Sequence, residues 1–172
     1  MRKLNEECGV FGIISPKPIA AAGYAASALL ALQHRGQEGA GIATFYPDGS
    51  LVCHKNTGLV NEIFGDFVRH APLTNVAVGH VRYSTTGRNS VENTQPIETV
   101  HSRLTCALAH NGNITNAAEI RNAMVNDEGK VFHTTNDSEI INMLLIEQVI
   151  GCGNIEKAVQ NVMCILEGAV SL

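Results

Sequence analysis

Short strand-like runs crowd the first 110 residues, and two apolar helices then follow one another near the end. No other feature of the sequence constrains the fold as much. Residues 8–14 (CGVFGII) form an apolar run bounded by Pro16 and Pro18, which reads as a buried strand. Residues 41–46 and 51–55 read as strands flanking the turn Pro47-Asp48-Gly49, and residues 76–83 and 104–110 add two more. Between them, the Ala- and Leu-rich stretch 19–34 is expected to be helical, with Gly36 where a C-terminal cap would stand. A shorter helix is expected over 61–70, capped by Asn61. Asn116 and Glu119 have the spacing of a capping box for a helix ending near residues 127–129. Residues 138–150 predict an apolar helix closed by Gly151. Ile155, Ala158, Val159, Val162, Met163 and Leu166 then predict an amphipathic one closed by Gly168. Strands thus outnumber β-α-β crossovers early, which favours α+β layering over a doubly wound sheet. Residues 84–99 are polar and read as a long loop, and long loops in compact domains tend to be functional.

Composition narrows the function classes. Hydrophobic residues make up 45% and charged residues 16%, enough for a packed core. The net charge of −4, with no basic run, argues against a nucleic-acid partner. No apolar stretch reaches the roughly 20 residues that span a bilayer, so no membrane partner is expected. The start, MRKLNEECG, is too short and too acidic for a secretory signal. Five cysteines, an odd number without C-x-x-C spacing, point to free thiols in a reducing, cytoplasmic setting and not to disulfides or a metal site. The last residues, 168–172 (GAVSL), read as the opening of a strand, so the sequence is expected to be part of something longer.

Four places carry residues suited to chemistry. Cys8 begins the first strand. If residues 1–7 were removed as a propeptide, one residue would hold both a thiol and an α-amine of pKa about 7.7–8.0, so nucleophile and base would coincide. Asn111 and Gly112 leave a strand into a turn. They could supply a side-chain N–H₂ and a closely approaching backbone N–H to an oxyanion. Arg82 ends a strand and could grip a carboxylate with its planar fork. Asp137 precedes an apolar helix and could pair with an ammonium; together, Arg82 and Asp137 match the two charged ends of a free α-amino acid. His34-Arg35-Gly36-Gln37 could brace the active-site loops. Each has a plainer reading alone: a structural thiol, a turn, a surface arginine, an N-cap, a basic helix end.

Taken together, the segments CGVFGI (8–13), LQHRGQEGAGI (32–42), GHVRYSTTG (79–87), NTQPI (93–97), AHNGNITN (109–116) and NDSEII (136–141) resemble the class II glutamine amidotransferases, and most of all the branch that opens purine biosynthesis. The resemblance implies a four-layer αββα sandwich of the N-terminal-nucleophile kind over residues 8–172, incomplete at its C-terminus, after a propeptide of residues 1–7. It implies that Cys8 attacks the carboxamide of glutamine, forming a thioester and releasing ammonia, with Asn111 and Gly112 as the oxyanion hole. Arg82 and Asp137 would hold the substrate's carboxylate and amino group, Thr85 would add a weaker contact, and Arg35, Gly36 and Tyr83 would support the site. In the branch it resembles, the ammonia reacts with phosphoribosyl pyrophosphate on a second domain absent here. Mg²⁺ and, in some members, a 4Fe-4S cluster belong to that missing part, and the full-length protein is expected to be a homo-oligomer, dimer or tetramer. Two other readings stay open: an amidotransferase with a sugar-phosphate or amino-acid acceptor, and a non-catalytic amino-acid-binding module.

Overall fold

The computed structural model describes residues 8–83 and 90–172. Four strands form the main sheet: β1 (Gly9–Ile19), β2 (Gly39–Phe45), β3 (Leu51–Thr57) and β4 (Thr74–Arg82). They lie in the order β1-β4-β2-β3, antiparallel throughout. The turn at Pro47-Asp48-Gly49 joins β2 to β3 as expected, with Asp48 Oδ1 accepting from the Ser50 backbone at 2.9 Å. Helices α1 (Ala21–Ala31) and α2 (Val60–His70) pack on one face. Leu29, Ile42, Phe64 and Val81 are all but inaccessible between them and the strands. The side chains of β2 and β4 that face the helices are small or branched, which lets α1 lie close to the sheet.

The second half supplies the other two layers. Hairpin β5 (Ile97–His101) and β6 (Leu104–Leu108) and the pair β7 (Asn111–Ile114) and β8 (Gly168–Ser171) form small antiparallel sheets. Helices α3 (Ala117–Asn126), α4 (Asp137–Cys152) and α5 (Ile155–Ile165) close that side around Leu108, Met124, Ile141, Leu145 and Val162. The fully buried Asn142 pins α4 to β5, its Nδ2 donating to Ile97 O at 2.9 Å and Thr99 Oγ1 at 3.0 Å. The two halves meet where Lys55 Nζ on β3 donates to Thr94 O (2.7 Å) and Pro96 O (3.1 Å), just before β5. The result is the α+β, four-layer αββα stack anticipated from the resemblance.

Several local expectations are corrected. Strand β1 runs past both prolines to Ile19. It lies at the sheet edge, and its register shifts between Ile14 and Ile19, so the missing N–H groups cost no ladder bonds. Helix α1 stops at Ala31, followed by a 3₁₀ turn (Gln33–Arg35), and Gly36 is extended (φ −158°), not a left-handed cap. Asn61 does not cap α2. Glu62 Oε2 accepts from Leu59 N (3.0 Å) and Gln33 Oε1 from Val60 N (2.7 Å), a tertiary partner standing in for a local one. Asn116 makes no cap bond; its amide instead ties α3 to the end of α5 through Ile165 O (2.9 Å) and Glu167 N (3.1 Å). Helix α4 continues through Gly151 to the left-handed Gly153, and Gly168 opens β8 instead of capping α5. Helix α5 has the expected buried stripe at Ala158 and Val162, but Ile155 and Met163 are exposed.

Candidate active site

The register of β1 against β4, with Gly9 opposite Val81, carries Cys8 to the end of β4. Its sulfur sits on the Tyr83 backbone, 3.4 Å from both the N–H that donates to it and the carbonyl that can accept its proton. Burial pushes the Cys8 thiol above its ordinary value of 9.0; the Tyr83 backbone and the nearby Arg82 charge pull the other way without reversing the shift. The Cys8 carbonyl accepts from Arg35 Nε at 3.1 Å, so the 3₁₀ turn holds the nucleophile's own backbone. Gly36 explains how that turn comes so near. A Cβ there would lie 2.7 to 2.8 Å from the backbone atoms of Arg82, closer than a side chain can stand. Arg35, Gly36 and Tyr83 thus all abut Cys8 or Arg82.

Arg82 is buried, with 6% of its surface exposed; Nη1 donates to Asn93 O, and Nε has no partner among the described residues. Asn93 is a junction between the two halves. Its carbonyl also accepts from Asn136 Nδ2 (3.2 Å), and its Oδ1 accepts from Thr135 N (3.1 Å) and Thr135 Oγ1 (3.2 Å). The loop before α4 is fastened again by the buried Glu139. Its carboxylate accepts from His133 N, Thr134 N and Thr134 Oγ1, each at 2.8 Å.

Asp137 is the first residue of α4 but not its cap. Asn136 takes that role, its Oδ1 accepting from Ser138 N at 3.0 Å. The Asp137 carboxylate is left on the cavity wall, with Oδ2 accepting from Ile114 N at 3.4 Å and Oδ1 lying 3.5 Å from His110 Nδ1. Burial alone would raise its pKa, but His110 and the backbone N–H groups of Ile114 and Ser138 outweigh burial and hold it below 3.8.

These side chains line a cavity of about 260 Å³, which holds Cys8, Arg82, Tyr83, Gly112 and Asp137 together. Gly112 adopts φ +154°, and a Cβ there would meet Ala169 O at 2.0 Å and His110 Nε2 at 2.8 Å, so only glycine fits. Asn111 begins β7 opposite Ser171 and is half-buried, yet it is not among the residues lining the cavity. Thr85 lies outside the described residues. The lining residues given no role from the sequence include His80, Asn93, Gln95 and His110. His80 is buried and, among the described residues, neither ring nitrogen is hydrogen-bonded; burial drives its pKa down to about 3, so its imidazole is neutral. Their only signal was membership of the GHVRYSTTG, NTQPI and AHNGNITN segments. Their contacts are long-range and leave no periodicity.

Chemically, the cavity offers a thiol, a buried cation and a carboxylate kept ionised, which complements a zwitterionic amino acid. Among the described residues no three His, Cys, Asp or Glu side chains gather as metal ligands, and all five cysteines are free. No helix among the described residues is long and apolar enough to cross a membrane.

The family described as glutamine amidotransferases class-II matches residues 13–170. The chain belongs to the class-II glutamine amidotransferases. Among relatives of this family, the amidophosphoribosyltransferase of Methanocaldococcus jannaschii is 41% identical over 166 residues, covering 96% of this chain and 35% of that protein. That of Lacticaseibacillus casei is 45% identical over 147 residues, covering 85% of this chain and 74% of that sequence. The solved glutamine phosphoribosylpyrophosphate amidotransferase from B. subtilis, complexed with ADP and GMP, superimposes with a TM-score of 0.76 at 34% identity, over 94% of this chain and 33% of that one. This class-II amidotransferase chain therefore spans about a third of the length of the first curated relatives it matches.

Proposed function

We propose that this chain is the glutamine-hydrolysing domain of an amidophosphoribosyltransferase, with residues 1–7 a propeptide and Cys8 the nucleophile of the processed protein. The observation that carries the reading is the Cys8 thiol resting on Tyr83 in a cavity that also holds the Arg82 guanidinium and the Asp137 carboxylate. Arg82 binds the α-carboxylate of glutamine and Asp137 its α-ammonium, which leaves the carboxamide facing the sulfur. With its α-amine free, Cys8 passes the thiol proton to its own nitrogen, and the sulfur attacks the carboxamide carbon. The Gly112 N–H and the Asn111 side chain receive the developing oxyanion. Asn111 does not line the cavity here, so its amide would have to reach the oxyanion when substrate binds. The ammonium of Cys8 returns a proton to the departing nitrogen, ammonia leaves, and water opens the thioester to glutamate. While residues 1–7 remain attached, the Cys8 nitrogen is an amide and no such base exists.

In the full-length protein the ammonia converts phosphoribosyl pyrophosphate to 5-phosphoribosylamine on the part beyond this chain, where Mg²⁺ and any 4Fe-4S cluster also belong. The names of the relatives support this acceptor. A cytoplasmic homo-oligomer is the expected setting. The test is glutamate release from glutamine by protein beginning at Cys8, together with covalent labelling by a glutamine-like diazoketone. Cys8→Ala should lose both, with turnover falling at least ~10³-fold, as for removal of other hydrolase nucleophiles. Equal labelling of Cys8→Ala rules the assignment out.

A further inference from the structure

We infer that His110 is a positioning residue for substrate recognition, presenting the Asp137 carboxylate to the α-ammonium of the bound amino acid. The inference rests on the glutaminase reading above. His110 is 2% exposed and its backbone is fixed, the N–H donating to Gln95 Oε1 at 2.6 Å. Nδ1 faces two oxygens at once, Ser138 Oγ at 3.2 Å and Asp137 Oδ1 at 3.5 Å. With Asp137 ionised, the ring proton belongs on Nδ1, where it is shared between hydroxyl and carboxylate. The backbone N–H groups of Ile114, at 3.4 Å from Oδ2, and of Ser138 also face the carboxylate, but among the described residues His110 is the side chain brought against it.

The other edge of the ring lies on the cavity. Nε2 is buried without a partner among the described residues, and lies 2.8 Å from where a Cβ of Gly112 would be. One imidazole therefore touches both the carboxylate assigned to the ammonium and the glycine assigned to the oxyanion hole. The neighbouring His80 does not duplicate this. The structure gives its ring no hydrogen bond to either group. His110 spaces the two ends of the substrate, and its contact with Asp137 can be tested separately from the chemistry.

The experiment uses the full-length protein with Cys8 as its first residue, and compares glutamine with glutaramate, which lacks only the α-amino group. His110→Ala should raise the KM for glutamine, and the preference for glutamine over glutaramate in kcat/KM should fall roughly 10- to 100-fold, the scale of one charge-assisted hydrogen bond. His110→Asn, whose amide N–H can replace Nδ1–H, should recover part of that preference. In an Asp137→Asn background, His110→Ala should cost no further preference, which separates positioning from misfolding. If both substrates lose equally in His110→Ala and His110→Asn while Cys8→Ala is inactive, the inference falls alone. Glutamate release that persists in Cys8→Ala overturns the glutaminase reading and takes the inference with it.

Discussion

Between α1 and the main sheet the buried residues are Ala25, Leu29, Ala40, Ile42, Ala77 and Val81. Around the loops at 93–95 and 133–139 they are Asn93, Thr94, Gln95, Ser138 and Glu139. The first region is held mainly by apolar packing and strand register, which bring Cys8, just before β1, beside Arg82 on β4; bonds from Arg35 and the Tyr83 backbone then fix Cys8. The second has little apolar surface and is held by side chains bonded to backbone. Asn93 joins Arg82 to the start of α4, Gln95 holds His110, and Glu139 holds residues 133 and 134. Packing is nondirectional and tolerant, whereas hydrogen bonds are directional. The Cys8 side of the cavity is thus secured mainly by bulk, and the Asp137 side by a few atoms.

This contrast can be broken or sharpened by substitution. Phe64→Ala should have the largest effect on stability, a loss of about 3–5 kcal/mol in chemical denaturation. Phe64 is 1% exposed and belongs to the apolar cluster of the first region. The protein that remains folded should keep its KM for glutamine, and a raised KM would show that the two regions are not separable. Glu139→Ala should cost less stability, about 2 kcal/mol, because two backbone N–H groups and a hydroxyl lose a charged acceptor at a partly exposed loop. Its main effect should be a raised KM for glutamine, since residues 133–136 lead directly into Asp137. Unchanged kinetics would contradict the view that the polar wall shapes the site.

The smallest effect should be on the pH dependence of the thiol. Burial raises the Cys8 pKa in the uncleaved chain, so its rate of alkylation by iodoacetamide should have its inflection above pH 9.0. The sign for stability follows. The folded state holds this proton more tightly than the unfolded state, so the contribution is complete below the unfolded pKa and is lost as pH rises through the folded one. An inflection below 9.0 would mean that Arg82 and the Tyr83 amide outweigh desolvation.

Much of the helix-backed half was legible in the sequence. The turn at Pro47-Asp48-Gly49, the strand at 76–83 and the Ala-rich α1 are local signals, and local composition is enough to read them. The site was legible as motifs, which is how Cys8, Arg82, Gly112 and Asp137 were found. It was less legible as geometry. Alone, Asp137 reads more readily as an N-cap than as a ligand, and in the structure Asn136 takes the cap role. The cap expected at Asn61 failed because distant Gln33 accepts from the first N–H of α2, and that at Asn116 because Ile165 and Glu167 take up its side chain; α4 runs past Gly151 to Gly153, and Gly168 opens β8.

By itself the sequence determined the main-sheet strands and most helices (though not β5 or β7), where the hairpin turns, and which side chains can bear charge or attack a carbonyl, since these depend on neighbours a few positions away. Only the tertiary structure decided that Gly36 lets the 3₁₀ turn lie against Arg82, that Asn93 couples the two halves, and that His110 stands between Asp137 and Gly112. Those contacts join residues far apart in the chain. They depend on how the layers stack, and no local pattern of residue types encodes that.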